Sequence, residues 1–526
     1  MANKPPHYAG GFPIGFVENN SGKNVKQKKA TDKNLINVKT YLYNHVNIYL
    51  KYHRPDPSKL NEYRVVGFGV EPISVKHTFS QGFNWDGESS DGFQKPLDTC
   101  MSDQTLSQAD VEKVQLVAKG EKIIYTYGVQ WEESNIAWSS RWDVYLSEDK
   151  AIPAQVHWYA ISNSVMVVLL LSILVIGILV RNLKRDIAGY NAVSTMSDEE
   201  RDELAEESGW KVIHADVFRP PSSLPMLYCV LVGSGIQLAL TMALCIILSA
   251  VGFVNPARRG SLMNSTLAFY VIFGSLAGFV SSILYKAFRG RSWQLCTVLT
   301  AIFFPGICFL VFLFFNVILF FFKSTASVPV IDVIIVAALW CCVSIPMVFV
   351  GAYFGYKMET MTFPTVTSTI ARAIPPAGLL ARPNNQILLA GLIPFAAAYV
   401  ELFFIMTSLW KDLYYYVFGF TFLVYLILLI SSAEVTVLLV YYQLCHENHR
   451  WWWFALFSSG SLAFYLFGYS FIYFKGLQAS RLLITYLLYF GYMFLISFGL
   501  FLITSACGSL ITLWFVRKIY GAIKVD

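Results

Sequence analysis

"ISNSVMVVLLLSILVIGILV", residues 161–180, carries no charged residue. Twenty residues of α-helix rise about 30 Å, the thickness of a bilayer's hydrocarbon core, so this run reads as a membrane span. It also divides the chain. Residues 1–160 and the segment 181–224 hold most of the acids and bases, whereas the rest is apolar runs broken by short polar loops. Of 526 residues, 55% are hydrophobic and 14% charged, with a mean hydropathy of +0.50, against about 25% charged in soluble domains. The composition predicts a polytopic membrane protein led by a water-soluble domain.

Nine runs reach span length: 161–180, 225–254, 265–285, 293–322, 330–354, 388–410, 415–441, 452–474 and 482–516. Pro305, Pro346 and Pro394 lie inside three of them and mark kink sites. Trp293, Trp410 and Trp451 to Trp453 stand at run ends, where indoles act as interfacial anchors. If the C-terminus is cytoplasmic, sixteen Lys and Arg near span ends fall on that side, among them Arg181, Arg289, Arg382, Arg450 and Arg517, against six opposite. The positive-inside rule favours that orientation. With an odd number of spans, residues 1–160 then face the lumen or the outside.

That soluble part reads as strands. "KIIYTYGVQWE" (122–132) places Ile123, Tyr125, Tyr127, Val129 and Trp131 on one face and Thr126, Gly128, Gln130 and Glu132 on the other. "NVKTYLYNHVNIYLKYH" (37–53) and "EYRVVGFGVEPISV" (62–75) are further strand candidates, and a β-sandwich-like lumenal domain is the expected fold. Asn19 heads an N-glycosylation sequon there. Residues 1–30 contain no apolar signal-peptide core. Either the N-terminus is shortened or the first span acts as a reverse signal anchor. The expected organisation is thus a lumenal domain over 1–160, a first span over 161–180, a cytoplasmic connector over 181–224 with a short acidic helix, an eight-helix membrane domain over 225–516 and a cytoplasmic tail over 517–526.

Few residues point to chemistry. Glu401, in the middle of the sixth run, and Glu434, in the seventh, are intramembrane charges, each costing about 2.5–3.5 kcal/mol to insert. They are candidates for binding polar groups of another helix or for carrying protons. The structural alternative is a hydrogen bond to a neighbouring helix, for example to Gln237 or Asn316. Gly274 with Gly278, and Gly351 with Gly355, form two Gly-x-x-x-Gly stripes, suited to internal packing or to recognition of a client helix. "GSG" (233–235) reads as helix packing or a kink.

Catalytic readings do poorly. A two-aspartate intramembrane protease needs a second aspartate beside Asp332. "HENHR" (446–450) lacks the spacing of a helical zinc site, and no C-x-x-C pair is present among nine cysteines. No catalytic residue, metal or cofactor is expected, and no dense basic stripe suggests nucleic acid. The proline-bearing stretch 357–386 reads as a structural connection.

Long strings carry a family resemblance: "GWKVIHADVFRPPSSLPMLYCVLVGSGIQL" (209–238), "GLIPFAAAYVELFFIMTSLWKDLYYYVFGF" (391–420), "SSAEVTVLLVYYQLCHENHRWWW" (431–453) and the terminal "KIYGAIKVD" (518–526). With "SRWDVYL" (140–146) and "RDIAGYN" (185–191), they resemble the nonaspanins, the transmembrane 9 superfamily. The resemblance departs at the start, because "GFPIGF" (11–16) resembles a stretch well inside the family's ectodomain. It implies nine spans, a lumenal N-terminal domain, Golgi and endosomal membranes, and sorting or surface delivery of client membrane proteins with Gly-rich or polar transmembrane segments. Adhesion and phagocytosis are further family associations, and transport through Glu401 and Glu434 is the alternative that the residues themselves raise. The resemblance also implies that Lys524, Val525 and Asp526 form a C-terminal K-x-D signal read by COPI coat subunits.

Overall fold

The computed structural model describes residues 12–18, 39–54, 63–79, 97–100, most of 106–138, 154–193, 209–254, 261–322, 327–410, 417–476 and 483–522, a few single positions aside. Asn19, the acidic stretch beginning at Ser197, and Lys524 to Asp526 lie outside the described residues. The chain divides into two compact units, Met1–Pro153 and Ala154–Asp526.

The first unit is built from strands. β1 (Gly15–Glu18) pairs antiparallel with β2 (Lys39–Leu42), and a second sheet has the order β4-β3-β5, from Arg64–Ile73, His45–His53 and Thr126–Glu133. β4 runs antiparallel to β3 and β5 parallel to it. The alternation along β5 is as the sequence has it, but the apolar face is the open one: Tyr127 and Trp131 are 71% and 62% exposed. On the polar face, Thr126 and Gly128 are half-buried beside the buried His45 and Asn47 of β3, whereas Gln130 and Glu132 are exposed.

The hydrogen bonds around these buried residues form a chain whose direction can be assigned. Asn47 Nδ2 donates to the Leu106 carbonyl (2.6 Å) and towards Glu71, which leaves Asn47 Oδ1 as an acceptor. His45 Nε2 therefore donates to Asn47 Oδ1 (3.0 Å), and a neutral His45 accepts at Nδ1 from the Thr126 hydroxyl (2.6 Å). Thr126 in turn accepts from His77 Nε2 (2.8 Å), and His77 Nδ1 accepts from Thr99 (2.9 Å). Each histidine is thereby held as one neutral tautomer.

Burial pushes both histidines below their ordinary value, His77 to about 4 with the neighbouring His45 adding to the shift. A histidine whose folded pKa is depressed stabilises the fold fully above its unfolded value, and that contribution is lost as pH falls towards the folded one. Between pH 6.5 and 4, hydrogen-exchange protection of the amides in β3 and β5, corrected for intrinsic rate, should fall by about tenfold or more. His77→Gln should flatten that dependence.

The second unit is helical. Among the described residues, eight helices are long and apolar enough to cross a membrane, and a bent pair makes a ninth span if counted as one. They are α1 (Ala154–Val193), α2 (Pro225–Val251), α3 (Ser261–Ala287), α4 (Trp293–Phe321), α5 (Val330–Lys357), the pair α6 (Pro383–Ala397) and α7 (Tyr399–Trp410), α8 (Val417–Cys445), α9 (Trp451–Gly476, with a turn at Ser461) and α10 (Leu483–Gly521).

Two prolines mark irregularities. In α5 the turn Trp340–Ser344 is π-helical immediately before Pro346, a widening that accommodates a residue without an N–H. Beyond Pro394 the helix stops at Ala397, and α7 leaves at 70° to α6.

Lipid tails are as apolar as leucine, so spans associate through close packing and hydrogen bonds. The two Gly-x-x-x-Gly stripes face each other. A Cβ on Gly351 would collide with the backbone carbonyl of Ser275, one on Gly278 with that of Val348, and one on Gly355 with the Ser282 hydroxyl. Gly274 meets Val348 and Gln237 less tightly. On α2, a Cβ at Gly235 would strike the Leu502 carbonyl of α10, and one at Gly233 would lie 2.8 Å from the Ala277 carbonyl of α3. The "GSG" run is thus the point where α2 slots between α3 and α10.

Gly278→Leu and Gly351→Leu should each cost about 1–3 kcal/mol or more by overpacking, read as a lower melting temperature of the purified protein. Gly499→Ala, at a position with open space around it, should leave that temperature within error.

A polar cap closes one end of the bundle. Trp451, Trp452 and Trp453 donate their indole N–H groups to the carbonyls of Val217, Arg219 and Ser223, at 2.8, 2.9 and 2.8 Å. Trp451 and Trp452 are core residues here, 0% and 2% exposed. As expected anchors at the membrane interface they are therefore corrected: the chain before α2 folds over them and takes their donors. Asp216 fastens the same segment to residues 368–372, pairing with Arg219 and accepting from the Arg372 N–H at 3.1 Å. Tyr520, near the end of α10, donates to the Trp210 carbonyl (2.6 Å) and packs edge-on against Phe218.

Candidate functional site

The intramembrane carboxylates lie on neighbouring helices and share one partner, α1. Glu401 falls in the first turn of α7, just past the 70° break, and is 0% exposed. Pro394 lies one turn before the break, and the new helix start presents its partly positive end to an acid in its first turn. Ser164 of α1 donates a short hydrogen bond to Glu401 Oε1. Glu434, half-buried in α8, accepts at Oε1 from Ser172 of α1 (2.6 Å).

Ser164 and Ser172 belong to one narrow stripe. Ile161, Ser164, Val168 and Val175 are the buried residues of α1 among those described, and Ser172 fills the gap between the last two. The 3-and-4 spacing is that of a helix lying along another with a single seam. The flanks of α1 are open, with Leu170 and Ile173 among its most exposed residues. Val168 packs with Ala398, Leu402, Val424 and Leu428, so the seam runs beside the helix break.

Gln237 and Asn316 are not the partners of these acids. Gln237 donates to the Tyr270 carbonyl (2.7 Å), and Asn316 exchanges two bonds with Val328 (3.0 and 2.7 Å). Each satisfies backbone close to its own span, which removes it from the carboxylates. Sequence reasoning missed Ser164 and Ser172, although the signal was present. Two hydroxyls just over two turns apart in an uncharged span fall on the heptad-like line of Ile161, Val168 and Val175.

Each carboxyl is only half satisfied. Glu401 Oε2 and Glu434 Oε2 are both buried without a partner. A buried acceptor left unpaired costs about 1–3 kcal/mol, so each group has capacity for one more donor: a proton of its own, or a hydroxyl or amide from another helix. No cluster of three or more His, Cys, Asp or Glu suited to a metal occurs among the described residues. Replacing Ser164 and Ser172 with Ala should cost about 0.6–1.7 kcal/mol for each bond, read as lower thermal stability of the purified protein.

Residues 3–482 match the family described as Endomembrane protein 70. The chain is 39% identical to Transmembrane 9 superfamily member 10 of Arabidopsis thaliana over 99% of its own length and 77% of that protein's. To Transmembrane 9 superfamily member 2 of Homo sapiens it is 37% identical, covering 98% and 74%. To a Dictyostelium discoideum protein named putative phagocytic receptor 1a it is 36% identical, covering 98% and 76%. No solved structure matches. With a family match over most of its length and relatives of this similarity, the chain belongs to the transmembrane 9 superfamily.

Proposed function

We propose that this protein sorts other membrane proteins in Golgi and endosomal membranes, recognising polar or Gly-rich transmembrane segments and delivering or retaining the proteins that carry them. The observation that supports this most is the half-satisfied carboxylate pair on the seam of α1. Glu401 and Glu434 already hold two helix-borne hydroxyls and each keeps a buried oxygen free. A client span bearing Ser, Thr, Asn or Gln offers the donors these oxygens lack. The glycine stripes are a poorer candidate surface, because each is occupied by the other.

In this reading the lumenal unit engages the client's ectodomain and the tail engages the coat. Lys524, Val525 and Asp526 follow closely on Tyr520, which is tied to Trp210. A cation and a side-chain carboxylate two positions apart suit a receptor pocket for COPI. A phagocytic role, as in one relative's name, would use the same lumenal unit.

A second reading is favoured by the 70° break beside Glu401. Discontinuous spans with an ionisable group at the break are the usual form of ion and proton sites in transporters. Affinity capture from cells separates the two. Glu401→Gln with Glu434→Gln should reduce recovery of client membrane proteins several-fold while coat subunits are still captured. Removing the last three residues should do the reverse. Proton or ion flux by the purified protein in liposomes, abolished by Glu401→Gln, would favour transport and overturn the sorting role for this pair.

A further inference from the structure

A cleft of about 430 Å³ opens where α6 begins, α8 ends and α9 begins. Three helix ends meeting at one level place it at the boundary between the apolar spans and the polar loops. Its lining has two ends. Asn384, His446 and Arg450 are exposed around the outer one, while Ile387, Phe454 and Phe457 line the inner one. No Asp or Glu lines it among the described residues. Glu447, next to it in sequence, is committed to Arg372 at 3.0 Å.

The polar end has spare donors. Among the described residues the Arg450 guanidinium and the Asn384 amide make no hydrogen bond, whereas His446 donates its Nδ1–H to the Tyr442 carbonyl (2.9 Å) and so keeps Nε2 as an acceptor. Asn448, by contrast, is spent internally, donating to Gln443 and accepting from the Arg450 N–H. The floor beneath is rigid: Gln443 donates to the Ala381 carbonyl and to Gln386. At the inner end, Phe457 and the neighbouring Leu388 are 37% and 58% exposed on the surface of the spans, where hydrocarbon chains lie.

We propose that this cleft binds one anionic phospholipid, its phosphate on Arg450 with Asn384, and its acyl chains leaving over Ile387 and Phe457. The unpaired guanidinium supplies a fork for phosphate oxygens, and juxtamembrane basic groups draw anionic lipids. The apolar end distinguishes a lipid from a soluble anion, because a free phosphate would leave the half-buried Ile387 and the exposed Phe457 uncovered. The volume suits a headgroup and is too narrow for a helix about 10 Å across. A lipid held here touches α6, the first half of the broken span, and so contacts the element that leads to Glu401.

The test uses the purified full-length protein, titrated with a phosphatidylinositol monophosphate, with phosphatidylcholine of the same chains, and with the corresponding chainless inositol phosphate. The expected result is saturable binding of the anionic lipid, with the other two about tenfold weaker or worse. Arg450→Gln should weaken the anionic lipid by about tenfold, Asn384→Leu and Phe457→Ser by less, and Arg450→Lys should restore part of the loss, all at unchanged melting temperature. Equal binding by the Arg450→Gln protein overturns the site. Equal binding of phosphatidylcholine overturns the role of charge, and equal binding of the chainless compound makes it a soluble-anion site. If Arg450→Gln lowers the melting temperature, the Asn384→Leu and Phe457→Ser titrations decide, and wild-type affinity in both overturns the proposal.

Discussion

Backbone-to-backbone contact between α3 and α5 sets the scale on which the rest of the bundle is built. Gly278 lies against the Val348 carbonyl and Gly351 against that of Ser275, each in the space that a side chain would fill. In a medium as apolar as the side chains, such proximity is what dispersion forces require. The same device recurs where Gly235 lets α2 meet α10. With α2, α3, α5 and α10 fixed so closely, the cap of Trp451 to Trp453 has a rigid platform to close.

That core contrasts with the seam of α1. There the contact is one residue wide, two serines supply the polar bonds, and the flanks are open. Interhelical hydrogen bonds in membranes are worth about 0.6–1.7 kcal/mol each, so α1 is held far less firmly than the glycine-packed helices. A weakly held helix over half-satisfied carboxylates, beside a 70° break, is the part of the bundle best suited to exchange partners. This is the physical basis for proposing recognition there, with packing at the glycines.

Much of this was legible in the chain. The nine apolar runs correspond to the spans, counting α6 and α7 as one, and Pro346 and Pro394 stand beside the two irregularities. β3 and β4 lie within the strand candidates 37–53 and 62–75, and β5 runs one residue past the alternating stretch 122–132. Less was legible about faces and partners. The apolar side of β5 is open, while on its polar side Thr126 and Gly128 meet His45, Asn47 and His77, and no period-2 pattern carries that information. Trp451 and Trp452 resemble interfacial anchors by position, yet they are buried because the connector before α2 brings three carbonyls to them. Glu401 stood out by cost alone, while Ser164 looked like an ordinary residue of a span.

The sequence by itself determined which segments are long and apolar enough to cross a membrane and which family they belong to, because hydrocarbon thickness acts on each segment locally. The tertiary structure alone decided which glycine meets which carbonyl, which serine meets which carboxylate, and which polar groups keep a free valence. Those outcomes depend on groups far apart in the chain, 262 positions in the case of Ser172 and Glu434, and only the packed bundle brings such groups together.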